Sequence, residues 1–246
     1  MEKLNPKVVI FDLGSTLIEY ETISWEDLIV ECVESGRLYI LSIGFQPPDE
    51  SIFQKIFHKV INEYRDIAKS ELIEWNVLDA TAKVLKILSI PVSEEMLNNF
   101  FDAFYEPIHK KLYVYDDTVK VLKKLKSKFN KIGLVSNTIF PERIHLDEIK
   151  RFGIEPYLDF KIFSSTFGYR KPHPSIFLNA VEQSGYDPSD CVYIGDRYYE
   201  DIQGPDKVGM PAILKFKENR DYPENYKDSL RVIYNLSELS NFFDFV

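Results

Sequence analysis

Ten glycines punctuate the 246 residues, yet none falls between Gly44 and Gly133, and that gap constrains the fold more than any other feature. Tight turns between strands favour residues that accept positive φ, so a stretch this long without glycine predicts continuous helix. Apolar spacing points the same way. Ile52, Ile56, Val60 and Tyr64 recur at four-residue steps, as do Ala80, Val84 and Leu88. Asp49 and Ser93 stand where N-caps belong, and a pair of glutamates follows Ser93. About four helices are expected between Glu21 and Lys111.

Outside this block short apolar runs alternate with amphipathic segments, the pattern of βα units around a parallel sheet. Strands are expected at Val8–Phe11, Ile132–Val135, Phe160–Phe163, Cys191–Ile194 and Ala212–Phe216. Helices are expected at Asp117–Phe129, Pro141–Phe152, Pro174–Ser184 and Glu200–Val208. Gly153 and Gly185 follow two of these as C-caps. The fold class is therefore α/β. A Rossmann-like core of residues 1–19 and 112–246 is interrupted after its first strand by an all-helical insertion, residues 20–111.

Charge narrows the partners. Thirty Lys and Arg against 39 Asp and Glu leave a formal net charge of −9. That balance repels a phosphate backbone, so neither nucleic acid nor an anionic membrane is expected as a partner. A small phosphorylated substrate needs only a local positive site. Cys32 and Cys191 are far apart and form no CxxC pair, which argues against a disulfide framework and a thiolate metal site. Val8–Phe11 is too short for the core of a signal peptide, and no later run has the length of a membrane span. A cytoplasmic protein is expected; its oligomeric state is not legible.

Ligands of parallel α/β sheets bind beyond the carboxyl ends of the strands. The first run ends in Asp12, followed by Leu13-Gly14-Ser15-Thr16, and the second in Ser136-Asn137-Thr138. A loop then offers Arg170-Lys171-Pro172, and the fourth run ends in Gly195-Asp196, with Asp201 five residues on. If the strands are adjacent, carboxylates, a hydroxyl and an ammonium converge. Clustered carboxylates repel one another and are best relieved by a divalent cation with oxygen ligands, most naturally Mg²⁺. A carboxylate beside such a cation can attack an anionic electrophile, while the lysine and hydroxyl hold phosphoryl oxygens.

In order and spacing these four segments resemble the haloacid dehalogenase (HAD) superfamily, over essentially the whole chain. The resemblance implies a phosphatase with a mobile helical cap inserted after the first motif. It implies Asp12 as nucleophile, forming an aspartyl-phosphate, and Asp12, the Gly14 carbonyl and Asp196 as Mg²⁺ ligands. Ser136, Asn137 and Lys171 would bind phosphate, and Asp201 would steady Lys171 or a metal-bound water. One position departs. Phosphatases of this superfamily usually carry a second aspartate two residues after the nucleophile, as general acid and base, and here it is Gly14.

Glu19 or Glu21 could stand in, a good leaving group could make the acid dispensable, or the chain could bind a ligand or protein partner without turnover. A 2-haloacid dehalogenase also uses an aspartate nucleophile, but predicts no metal carboxylate where Asp196 stands. His58, His109, His145 and His173 show no metal-site spacing and read as structural or surface residues. Lys120, Lys123, Lys124, Lys126 and Lys128 read as the wet face of a helix. The aromatic residues of the insertion, among them Trp25, Phe53, Phe57, Phe100, Phe101 and Phe104, read mainly as core.

Overall fold

A computed structural model describes residues 3–244. The chain divides into two units, Met1–Glu19 with Val114–Val246, and Tyr20–Tyr113.

The first unit is built on a six-stranded parallel sheet. Its strands are β1 (Val8–Phe11), β2 (Lys131–Ser136), β3 (Phe160–Phe163), β4 (Cys191–Gly195), β5 (Ala212–Lys215) and β6 (Val232–Ile233), in the spatial order β3-β2-β1-β4-β5-β6. All four residues of β1 are fully buried, which is why this strand reads as an unbroken apolar run without alternation. Helices α5 (Thr118–Lys128), α6 (Glu142–Arg151) and α7 (Pro174–Ser184) connect the strands. On one face Val8, Ile10, Val135, Ile162 and Tyr193 pack with Ile176, Phe177 and Ala180 of α7.

Register fixes where the chemistry falls. Phe11 lies opposite Leu134 of β2 and Ile194 of β4. Asp12 therefore emerges level with Val135 and Gly195, one step (about 3.3 Å) short of Ser136 and Asp196. Its N–H still bonds to the Ile194 carbonyl at 2.8 Å. Because β1 has β2 on one side and β4 on the other, this is the switch point of the sheet, where a crevice opens at the carboxyl edge.

The second unit holds α1 (Trp25–Ser42), α2 (Glu50–Glu71), α3 (Val77–Ile87) and α4 (Glu94–Lys111). Each N-terminus is capped by a side chain that accepts a backbone N–H: Ser24 from Asp27, Asp49 from Ile52, Asn76 from Leu78 and Ser93 from Met96. Phe57 stacks with Phe53, Phe100 and Phe104 at centroid distances of 5.7–6.2 Å. Gly36 lets α1 approach α4, since a Cβ there would lie 2.4 Å from the Phe100 ring.

The buried stripe of α2 includes Phe53, Phe57, Val60 and Ile61, so Phe53 and Phe57 are core as expected, while Ile52 is 47% exposed. The helix expected at Glu200–Val208 is a π-helical turn, Tyr198–Ile202, followed by one short turn, Gln203–Asp206, that contains Gly204 and Pro205. Strand β6 was not foreseen, two residues being too few for a period. Among the described residues no helix is long and apolar enough to cross a membrane.

Candidate active site

The turn after β1 is held tightly. Leu17 and Ile18 both donate to the Leu13 carbonyl, and Ser15 donates to the Ile18 carbonyl at 2.7 Å. Ser15 takes a left-handed conformation, φ 56°, costly for a residue with a side chain. Its carbonyl is pinned by Lys215 Nζ at 2.9 Å and by Tyr115 Oη at 3.2 Å. Lys215 is buried, lies 3.8 Å over the Tyr115 ring, and has its pKa lowered by burial. Thr16 Oγ1 reaches Asp12 Oδ2 at 3.4 Å.

Lys171 is the hub. Its three N–H donors go to Asp12 Oδ1 at 2.7 Å, Asp201 Oδ1 at 2.7 Å and Tyr193 Oη at 2.8 Å. Tyr193 Oη in turn donates to the Val135 carbonyl at 2.8 Å, so the lysine is anchored through the sheet. Lys171 is 3% exposed. Asn137 secures its backbone in both directions, accepting from Lys171 N at 2.7 Å and donating to Lys171 O at 3.0 Å.

Asp201 is delivered by the π-helical turn, where its N–H bonds to the Arg197 carbonyl at 2.7 Å and its Oδ2 accepts from Arg197 N at 2.9 Å. Gly195 makes the approach feasible. A Cβ there would sit 2.4 Å from Asp201 Cγ, so any larger residue displaces this carboxylate. Asp196 is 1% exposed and accepts from Arg220 Nε at 2.7 Å.

Carboxylate oxygens of Asp12, Asp196 and Asp201 lie within 4.8 Å of one another. Burial raises the pKa of Asp12 to about 7, with Lys171 opposing and the other two carboxylates reinforcing the rise. Asp196 is raised as well, by burial and by Asp201, against Arg220. Lys171 has burial working against its charge, but Asp12 and Asp201 outweigh it and hold its pKa well above the ordinary value. For the two aspartates burial is the largest cause and neighbouring carboxylates add to it, whereas for Lys171 those carboxylates overcome burial. A buried set of hard oxygen donors with surplus negative charge fits a divalent cation such as Mg²⁺.

Of the residues singled out in the sequence, Asp12, Lys171, Asp196 and Asp201 come together directly. Ser136 ends β2 and is 5% exposed. Asn137 has its amide committed to the Lys171 backbone. Glu19 turns to other partners: Ser15 Oγ at 3.2 Å, Tyr115 Oη at 2.6 Å and the Lys217 ammonium. Glu21 belongs to the helical unit.

Sequence reading missed Tyr193, whose hydroxyl is the one polar tip inside the apolar run Val192–Ile194 and could have flagged it. It also missed Arg220, for which no local signal exists. His145 is buried between Thr138 Oγ1 at 2.7 Å and Glu148 Oε2 at 2.9 Å. Thr138 Oγ1 also accepts from Phe140 N at 3.0 Å, so this chain of contacts braces the loop following Ser136.

The chain is similar to known proteins over most of its length. The family model of the haloacid dehalogenase-like hydrolases matches residues 49–215, which include Ser136, Lys171, Asp196 and Asp201 and lie beyond Asp12. The chain is 28% identical to a glyceraldehyde 3-phosphate phosphatase of Methanothermobacter thermautotrophicus, over 95% of this chain and 97% of that protein. Among solved structures it resembles a HAD phosphatase from Thermococcus onnurineus, with a TM-score of 0.65, 26% identity and 96% of each chain covered. A 2-haloacid dehalogenase from Pseudomonas syringae pv. Tomato shares the fold at a TM-score of 0.71, with 22% identity over 96% of this chain and 97% of that one.

Proposed function

The chain belongs to the haloacid dehalogenase-like hydrolases, and from that premise we propose that it is a phosphatase acting on a small phosphorylated metabolite through a phosphoryl group carried on Asp12. The observation that carries this reading is the buried Asp12–Lys171–Asp201 set, with Asp196 beside it, at the carboxyl edge of the sheet. The names of relatives favour a phosphatase as well.

Asp12, the Gly14 carbonyl and Asp196 would hold Mg²⁺. When bound there, the cation supplies charge neutralisation between the Asp12 carboxylate and an anionic phosphate. Asp12 attacks phosphorus, a new O–P bond forms, and the bond from phosphorus to the leaving oxygen breaks. Water then attacks phosphorus, releasing inorganic phosphate and restoring the Asp12 carboxylate. Lys171, held by Asp201 and Tyr193, exchanges one of its three hydrogen bonds for a phosphoryl oxygen. Ser136 donates from the end of β2. The helical unit, residues 20–113, serves as the cap that excludes water and selects the substrate.

Gly14 provides no side chain to protonate the leaving oxygen, and a positioned general acid contributes about 10²- to 10⁴-fold in rate. The enzyme therefore favours leaving groups that depart as anions. Hydrolysis of acetyl phosphate, p-nitrophenyl phosphate and glyceraldehyde 3-phosphate, each with Mg²⁺ and with EDTA, tests this. The expected result is metal-dependent turnover, faster on the first two than on the alkyl ester. Measurable Mg²⁺ binding without turnover on a broad metabolite panel would instead support a ligand- or protein-binding protein, the alternative that Gly14 raises.

A further inference from the structure

Arg220 brings a cation to the acidic cluster from outside the four segments that define it. Its side chain is 13% exposed, its Nε donates to Asp196 Oδ2 at 2.7 Å, and its Nη2 reaches Ser15 Oγ at 3.4 Å. The loop after β5 delivers it, turning at Asn219, which adopts φ 63°. That loop is itself fastened to the same aspartate. Tyr222 Oη donates to the Asp196 carbonyl at 2.9 Å and accepts from Lys217 N at 3.1 Å. Arg220 is thus held against the Asp196 carboxylate by its own bond and by its neighbour's grip on the Asp196 backbone.

Charge balance gives this placement a consequence. Three buried carboxylates face Lys171, whose donors are already spent on two of them and on Tyr193. The guanidinium is a further countercharge, and it bonds directly to the carboxylate that Lys171 does not contact. Resting on the metal-site reading above, we propose that Arg220 is an internal counter-ion that competes with the divalent cation for Asp196 and so sets the affinity of the site. A carboxylate oxygen engaged by a guanidinium offers less to a metal, and two cations crowded in a low-dielectric pocket repel. The cation therefore binds at the cost of displacing or loosening Arg220 from Asp196. By linkage, removing Arg220 leaves a site with greater demand for the metal.

The test uses the full chain, stripped with chelator and titrated calorimetrically with MgCl₂ and MnCl₂, for wild type, Arg220→Met and Arg220→Lys. A hydrogen bond to a charged group corresponds to roughly a 10- to 100-fold change in an equilibrium. Arg220→Met is expected to bind the cation tighter by about that factor, with Arg220→Lys between it and wild type. Thermal melting supplies the second readout. In EDTA Arg220→Met melts below wild type, because a buried carboxylate has lost a partner. Saturating Mg²⁺ closes most of that gap, so the metal-induced rise in Tm is larger in the variant. Equal or weaker cation affinity in Arg220→Met, with no larger rise in Tm, overturns the proposal while leaving the metal site standing. Failure of wild type and both variants to bind either cation overturns the metal-site reading and this proposal with it.

Discussion

Asp12→Asn is expected to lower the rate of p-nitrophenyl phosphate hydrolysis by at least about 10⁴-fold, since loss of a covalent nucleophile is among the most damaging changes an enzyme can suffer. The substitution keeps the shape of the side chain and its place at the end of β1. It removes the charge that pairs with Lys171 at 2.7 Å. Stability moves the other way. The pKa of Asp12 is raised to about 7, chiefly by burial, so its charged form is unfavourable in the folded protein. Stability from this group is fully present below the ordinary carboxylate pKa and is lost as pH rises through about 7. In EDTA above that pH, Asp12→Asn therefore melts no lower than wild type. An inactive variant with an unharmed Tm separates a chemical role from a structural one, and steady-state kinetics with melting in parallel reads both.

Lys171→Met is expected to fail in both respects. Asp12 and Asp201 lose the buried ammonium that bonds each of them at 2.7 Å, and Tyr193 loses a donor at 2.8 Å. Removing one partner of a buried ion pair costs about 3–5 kcal/mol, because the carboxylates left behind remain out of water. Denaturant unfolding in EDTA measures that loss. Added Mg²⁺ restores part of it, by taking over neutralisation of the carboxylates. Turnover falls about 10²- to 10³-fold even with metal, as the preorganised donor to the phosphoryl oxygens is gone. Retention of wild-type stability in Lys171→Met would mean that the three carboxylates are relieved by some other group.

How much of this was legible depends on distance along the chain. Asp12, Ser136 and Asp196 announce themselves because each follows an apolar run, and a parallel sheet brings such positions to one edge. Asp201 follows five residues after Asp196, carried by a π-helical turn. Lys171 stands in a loop rich in proline and aromatic residues, and only its order among the other segments marks it. Tyr193 and Arg220 act through contacts 22 and 24 residues away, to Lys171 and Asp196, and periodicity carries no trace of such pairs. The same limit explains His145, whose partners Thr138 and Glu148 flank it but whose burial depends on the ring of Phe163, 5.4 Å away. In α2 the four-residue spacing of Ile52 and Ile56 identified a helix correctly. Phe53 and Phe57, read as core, are among the residues that this helix buries.

The most direct test of the central claim is to look for phosphate on Asp12. Enzyme mixed with acetyl phosphate and Mg²⁺, quenched in acid within the first turnover and digested, is examined by peptide mass. Nucleophilic attack by Asp12 leaves a phosphate adduct on the peptide containing it, lost on treatment with hydroxylamine and absent from Asp12→Asn. Metal-dependent turnover with the adduct on another residue, or an adduct that persists in Asp12→Asn, would contradict it.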